Sequence, residues 1–201
     1  MQRQTIGAKA GVTTACLLLI ASIASISARA DTIGITYSNA GALTAPPVLN
    51  GTILTLDALA NGSIISGNPA LNAIWNPVTF HMHDFLDITT GLDNGIFSIT
   101  FANGDILSGD LFEVASAALL ATNMGPLTQI LTFTGGTGEF AGASGSVSGV
   151  GLVGPTGGFT TSGSGTLTAA GVSAPEPASV ALIFGGLLVM VASRKLVRQQ
   201  R

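Results

Sequence analysis

Glycine and β-branched residues dominate the chain between residues 31 and 174, and no helical stripe of useful length there is free of glycine. Apolar and polar residues instead alternate over residues 78–83, where Val78, Phe80 and Met82 share one face. A period of two with β-branched residues is typical of strands. This texture excludes a helical bundle and predicts an all-β protein.

Turn signals divide this region at short, regular intervals. The predicted strands cover residues 31–38, 52–59, 63–66, 78–89, 96–101, 106–114, 127–134, 146–153 and 159–171. The predicted turns are Asn61-Gly62, Asp93-Asn94-Gly95 and Asn103-Gly104-Asp105, with a loop between Pro69 and Pro77 and a short helical turn within residues 114–120. This spacing predicts a single small antiparallel β-barrel of about eight strands.

Two of these strands carry glycines two residues apart, at Gly149 and Gly151 and at Gly163 and Gly165. Residues two apart lie on the same face of a strand. We expect each pair to allow strong coiling, or close packing against a bulky side chain.

Residues 135–145 read GGTGEFAGASG. The segment resembles the glycine-rich turn of allene oxide cyclase and dirigent-type β-barrels, and the resemblance covers roughly residues 78–171. It implies a barrel around an apolar pocket, and the side chains expected to line one are Trp75, Phe85, Phe97 and Phe112. A structural role is expected for the turn, with positive φ at its glycines and Phe140 closing the barrel end. The residues concerned are Gly135, Gly136, Gly138, Phe140 and Gly142.

The N-terminus has the order of a secretory signal peptide. Arg3 and Lys9 precede an apolar run over residues 15–26, which ends at Ala28-Arg29-Ala30. Small residues at Ala28 and Ala30 predict cleavage by signal peptidase before Asp31. An uncleaved N-terminal anchor is the alternative.

The C-terminus combines a Pro-Glu-Pro triplet (Pro175, Glu176, Pro177), an apolar segment over residues 180–192, and a basic stop. The stop consists of Arg194, Lys195, Arg198 and Arg201. Residues 178–193 would span roughly 24 Å as a helix, slightly less than a ~30 Å hydrocarbon core. The positive-inside rule places the stop in the cytoplasm and the domain outside the inner membrane.

This three-part tail resembles the PEP-CTERM sorting signal of Gram-negative bacteria. The resemblance covers about residues 175–201 and implies recognition by an exosortase, which cuts near the motif. A permanent C-terminal anchor is the alternative. The chain therefore divides into a signal peptide (1–30), a β-barrel domain (31–174) and a sorting tail (175–201).

The charge distribution restricts the partners. Residues 31–174 contain nine of the ten acidic residues and no Lys or Arg. Binding to nucleic acid is excluded, because it requires basic side chains. Binding to anionic lipid is disfavoured for the same reason. The only cysteine, Cys16, lies within the predicted signal peptide, so the domain has no disulfide or thiol nucleophile.

His81 and His83 are the sharpest candidates for a metal site, since they share one strand face. The alternative, which we favour, is that both are polar side chains on the solvent face. The carboxylate pairs Asp84/Asp87 and Asp105/Asp110 are interpreted as chance, and Asp93 and Asp105 as turn caps. No nucleophile elbow or nucleotide loop stands in the required context. We therefore expect no catalytic residue, metal or cofactor.

The sequence predicts an exported, non-enzymatic protein of the cell surface or extracellular matrix, associated with exopolysaccharide or biofilm. The alternative is a small-molecule-binding or isomerase-like barrel resembling allene oxide cyclase and dirigent proteins. A third hypothesis is calcium-assisted adhesion through the acidic surplus.

Overall fold

A computed structural model describes residues 30–170 of the chain. The predicted sorting motif, apolar segment and basic stop lie outside the described residues. The predicted signal peptide also lies outside them, except for its last residue, Ala30. Asp31, which follows the predicted cleavage site, is described. No helix among residues 30–170 combines the length and the apolar character that crossing a bilayer requires.

The described residues form two short helices and nine strands, and the strands make up one antiparallel sheet. The strands are β1 (Asp31–Leu43), β2 (Val48–Asn50), β3 (Ile53–Ser66), β4 (Val78–Asp87), β5 (Leu92–Thr100), β6 (Ile106–Ala115), β7 (Gly125–Gly136), β8 (Ser144–Val153) and β9 (Gly158–Ala169). The helices are α1 (Pro69–Trp75), between β3 and β4, and α2 (Ala117–Thr122), between β6 and β7.

The sheet closes on itself through β1. Strands β3 to β9 pair in chain order, and β1 pairs with β9 on one side and with β3 on the other. The three-residue β2 pairs only with the start of β3. It extends the barrel wall beyond the end of β1 and does not add a ninth strand to the closed barrel. The predicted all-β fold, a single small antiparallel barrel of about eight strands, is confirmed.

Alternation along each strand separates the interior from the outer wall. In β4, Val78, Phe80 and Met82 are buried, whereas His81 between them is exposed. The same period of two in the neighbouring strands places apolar side chains in the barrel interior. Burial of this core is the main source of stability, because the described residues contain no Lys or Arg to form conventional ion pairs.

Three local predictions were wrong. Asn61 and Gly62 lie within the continuous β3, where a Cβ at Gly62 would stand 2.1 Å from the carbonyl oxygen of Ser38. Glycine is therefore needed at residue 62 for close strand approach and not for a turn. Residues 93–95 lie within β5, and the chain reverses at residues 88–91 instead. The predicted loop before Pro77 contains the helix α1.

The paired glycines of β8 and β9 leave room for one large side chain, as predicted. Gly149 is opposite Gly163, which in turn is opposite Tyr37 of β1. A Cβ at Gly149 would lie 2.4 Å from the Tyr37 hydroxyl, and one at Gly163 would lie 2.7 Å from the Tyr37 ring. The ring of Tyr37 thus occupies space that side chains at both positions would fill.

One end of the barrel is closed by aromatic side chains, which we call the aromatic plug: Trp75, Phe101 and Phe140. Phe140 stacks on Phe101 with ring centroids 4.3 Å apart, and Trp75 lies 5.7 Å from Phe140. Phe140 and Trp75 are fully buried. Phe140 ends a 3₁₀ turn, Gly138–Phe140, in which Gly138 has a φ of +56°.

The glycine-rich segment is held in place at this end by the neighbouring turn. The carboxylate of Asp105 accepts hydrogen bonds from the Asn103 amide and from the backbone N–H of Glu139, both at 3.1 Å. Asp105 is therefore a turn cap, as predicted. Glu139 in turn accepts a hydrogen bond from the Trp75 indole at 3.2 Å.

Candidate active site

The opposite end of the barrel contains a cavity of about 260 Å³. Its wall is mainly apolar and includes Leu56, Met82, Leu127 and Phe159, with α2 contributing Leu119 and Leu120. The lining extends to the exposed residues Pro47, Ile88 and Asn123, which we call the cavity mouth. For comparison, a dry apolar cavity of ~150 Å³ holds benzene, so this one has room for roughly ten non-hydrogen atoms.

Three acidic residues on adjacent strands face this cavity, and we call them the carboxyl cluster: Asp84, Asp93 and Glu113. Asp93 of β5 is directly opposite Glu113 of β6 in the sheet register. Asp84 of β4 is opposite Gly95, and a Cβ there would lie 2.4 Å from Asp84 Oδ1. Glycine at residue 95 therefore leaves space for the Asp84 carboxyl group inside the barrel.

The surroundings of the carboxyl cluster raise all three pKa values. Burial, reinforced by the negative charge of Asp93, raises the pKa of Asp84 to about 8. Burial and the charge of Asp93 also raise the pKa of Glu113 to about 8. Burial raises the pKa of Asp93 only to about 6, because backbone N–H groups of Phe85 and Asn94 stabilise its carboxylate. At neutral pH the cluster therefore combines an ionised Asp93 with protonated neighbours.

A chain of hydrogen bonds fixes one side of the carboxyl cluster. The Tyr37 hydroxyl donates to Gln129 Oε1 at 2.6 Å, and Gln129 Nε2 donates to Glu113 Oε1. Since the tyrosine occupies the amide oxygen, the amide nitrogen of Gln129 is directed at Glu113. Burial also raises the pKa of Tyr37 to about 12, so its hydroxyl stays protonated.

Two oxygens of the carboxyl cluster have no hydrogen-bond partner among the described residues. They are Asp84 Oδ1 and Asp93 Oδ1, both inaccessible to solvent. The parent side chains are only 6% and 4% exposed. Buried polar atoms are nearly always paired, and an unpaired one costs free energy that a bound group can recover.

The residues singled out from the sequence lie elsewhere. His81 and His83 are on the outer wall, where His83 Nδ1 is 2.6 Å from Asp57 Oδ1. The solvent-face interpretation of both histidines is thus confirmed. Within residues 30–170, no group of three or more His, Cys, Asp or Glu side chains is arranged to hold a metal ion.

The four aromatic residues expected to line the pocket do not line the cavity. Trp75 belongs to the aromatic plug, and Phe97 lies in the core below the cavity. Phe85 and Phe112 are on the outer wall, 44% and 38% exposed. The cavity is lined mainly by aliphatic side chains, and its one aromatic lining residue within the described part of the chain is Phe159.

The sequence-based predictions missed the carboxyl cluster, although the alternation of apolar and polar residues indicates where one of its members lies. Asp84 continues the buried face of Val78, Phe80 and Met82 in the same period of two, so the alternation already placed it inside. The interpretation of Asp84 with Asp87 as a chance pair overlooked that phase. Asp93 was assigned to a turn, which hid its place on an inward-facing strand position.

No protein-family model and no curated protein matches the sequence. Among solved structures, the chain is similar to a protein described as a nonspecific heme-binding cyclase that catalyses a 4 + 2 cycloaddition during neoabyssomicin biosynthesis. The identity is 16%, the TM-score is 0.33, and the alignment covers 94% of this chain and 95% of the other.

The prediction that the protein is not an enzyme is wrong. It depended on the absence of a catalytic constellation, whereas the barrel brings three carboxyl groups with raised pKa values together in one cavity.

Proposed function

We propose that the barrel encloses an apolar small molecule and catalyses its isomerisation by proton transfer within the carboxyl cluster. The observation that carries this proposal is the pair of buried, unpartnered oxygens of Asp84 and Asp93 at an otherwise apolar cavity. An apolar cavity with a few converging polar groups and perturbed pKa values has the character of a small-molecule site.

The two kinds of carboxyl group have complementary roles. The carboxylate of Asp93 removes a proton from a C–H bond of the ligand, and the bonding electrons shift into an adjacent π system. A protonated neighbour, Asp84 or Glu113, delivers a proton to the other end of that system. The proton on Asp93 then returns to the donor, so the ligand is isomerised with no net gain or loss of protons or electrons. Neighbouring carboxyl groups with separated pKa values suit this division of acid and base.

The glycine-rich segment at residues 135–145 supports the same class of function. It resembles that of allene oxide cyclase and dirigent-type barrels, which enclose an apolar pocket. This resemblance concerns the barrel and its pocket, while the proposed acid and base are argued from the carboxyl cluster alone.

We also propose that the protein is exported and sorted. Signal peptidase releases Asp31 as the new N-terminus, and an exosortase recognises the PEP-CTERM-like tail at Pro175, Glu176 and Pro177. The barrel is then delivered through the inner membrane to the cell surface or the exopolysaccharide matrix. Mass spectrometry of the exported protein tests this proposal, and a product that retains residues 178–201 would contradict processing by an exosortase.

The catalytic proposal can be tested with 5-nitrobenzisoxazole, an apolar probe of about the size of the cavity. Loss of its ring proton to a base breaks the N–O bond and gives a coloured phenolate. We expect the full-length protein to accelerate this reaction, with a rate that rises with pH as Asp93 ionises around pH 6. Asp93→Asn should lower the rate at least about tenfold, as expected for removal of a general base.

Two matched controls separate the cavity from the rest of the protein. Asp110→Asn removes one acidic group from the outer wall and should leave the rate unchanged. Ala58→Leu fills part of the cavity and should weaken binding of the probe, whereas Ala40→Leu on the outer face of β1 should not. Equal loss of rate in Asp93→Asn and Asp110→Asn would place the reaction on the surface and refute the proposal.

A further inference from the structure

The carboxyl cluster has a net negative charge with no positive side chain to balance it. The described residues contain no Lys or Arg, and both histidines lie on the outer wall. The polar groups linked to the cluster or lining the cavity are neutral: Tyr37 and Gln129 in the hydrogen-bond chain to Glu113, and Thr161 and Asn123 in the cavity wall. The negative charge of Asp57 also acts on Asp84. Asn39 and Thr161 are already paired with each other at 2.9 Å.

The absence of a positive charge excludes ligands that combine an apolar body with an anionic headgroup. A carboxylate or phosphate headgroup would have to enter a low-dielectric cavity beside three carboxyl groups without any cation to receive it. Such a burial of like charges is strongly unfavourable. Fatty acids and other anionic amphiphiles are therefore poor ligands for this cavity.

The two unpartnered carboxyl oxygens require hydrogen-bond donors from the ligand. They belong to the side chains of Asp84 and Asp93, which are both more than nine-tenths buried and line the same cavity. An ammonium group carries up to three N–H donors and a positive charge, so one nitrogen has enough donors for both carboxyl groups. A charge-assisted hydrogen bond is also stronger than one from a neutral hydroxyl group.

We propose that the ligand of this cavity is a compact apolar amine, with its ammonium group held between Asp84 and Asp93. This inference specifies the ligand class of the site and rests on the proposed function. The apolar wall distinguishes an organic amine from a hydrated metal cation, because leucine and methionine side chains offer no oxygen ligands to a hard ion.

Binding of such a cation also changes the protonation of the site. A positive charge beside the carboxyl cluster favours the ionised form of Asp84 and Glu113, which hold protons when the cavity is empty at neutral pH. Amine binding should therefore release protons to the solvent.

The experiment compares three rigid ligands of the same shape, 1-aminoadamantane, 1-adamantanol and adamantane-1-carboxylate, by calorimetry with the full-length protein at pH 7. We expect the amine to bind at least about tenfold more tightly than the alcohol, since hydrogen bonds to charged groups are the stronger ones. The carboxylate should show no binding. Titration in buffers with different ionisation enthalpies should reveal proton release for the amine and none for the alcohol.

Two variants test whether the carboxyl cluster is responsible for the preference for the amine. Asp93→Asn should weaken binding of the amine about tenfold or more while leaving the alcohol within about twofold, and Asp110→Asn should leave both unchanged. Binding of the alcohol as tight as that of the amine would overturn the amine inference but leave the small-molecule site standing. If neither ligand binds, both proposals fail. A larger rise in melting temperature with calcium chloride than with the amine would also overturn the inference.

Discussion

At the scale of single residues, the carboxyl cluster makes the stability of the barrel depend on pH in an unusual direction. The pKa values of Asp84 and Glu113 rise to about 8 on folding, so between about pH 4 and pH 8 the folded state binds more protons than the unfolded state. The free energy of unfolding then falls as the pH rises through this window. We expect a lower melting temperature at pH 8 than at pH 5, measured by circular dichroism.

The variant Asp84→Asn removes one of the groups that become charged in the interior. Its melting temperature should therefore fall less between pH 5 and pH 8 than that of the parent protein. Asp110→Asn, on the exposed outer wall, should keep the full pH dependence. A parent protein that becomes more stable from pH 5 to pH 8 would show that the cluster is solvated rather than buried.

The candidate site was predictable in part at this scale. The period of two in β4 marks Asp84 as an inward residue, and the same rule applied to Leu107 and Leu111 of β6 marks Glu113. The convergence of these residues was not predictable, because it depends on the register between β4, β5 and β6. Register is set by interactions across the sheet and not by local sequence.

At the scale of secondary structure elements, the glycines of β8 and β9 determine how the barrel closes around Tyr37. In Gly149→Ala, the new methyl group would stand 2.4 Å from the Tyr37 hydroxyl and 2.3 Å from the carbonyl oxygen of Ser162. We expect a loss of about 1–3 kcal/mol in the free energy of unfolding from this overpacking. Urea denaturation measures it.

Gly34→Ala is the matched control. Gly34 is exposed on β1, and a Cβ there meets no atom within 4 Å. This substitution should change the free energy of unfolding by less than about 0.5 kcal/mol. Equal effects of the two substitutions would mean that strand flexibility, and not the space beside Tyr37, explains the loss in Gly149→Ala.

The existence of most strands was predictable from alternation and turn residues, and their ends were less so. The Asn61-Gly62 pair has the composition of a hairpin turn, yet β3 passes straight through it. Two neighbouring strands contact β3 on either side of Asn61, at Ala40 and at Thr79. These tertiary contacts override the local preference for a turn.

At the scale of the whole molecule, the barrel separates its aromatic plug from its cavity mouth. A bulky group attached at the mouth should therefore obstruct ligand entry, and one at the plugged end should not. In a Cys16→Ser background, which removes the native cysteine, Ile88→Cys places a thiol at the mouth and Ala141→Cys places one beside the plug. After coupling to a polyethylene glycol maleimide, the first variant should bind 1-aminoadamantane more slowly than the second in stopped-flow measurements.

A similar slowing in both labelled variants would mean that ligands do not enter at the mouth. A slowing in Ala141→Cys alone would place the entrance at the plugged end. The unlabelled forms of the two variants provide the reference rates.

The start of β1 at Asp31 and the end of β9 at Ala169 pair directly with each other, and Thr168 beside them pairs with Ser144, which follows the 3₁₀ turn that carries Phe140. Both chain ends of the barrel therefore lie at the plugged end. Whatever precedes and follows the barrel in the chain is therefore attached on the side away from the cavity mouth. Attachment and ligand exchange use opposite poles of the molecule. The barrel can be anchored or proteolytically processed at its plugged end while small molecules continue to enter and leave at the cavity mouth.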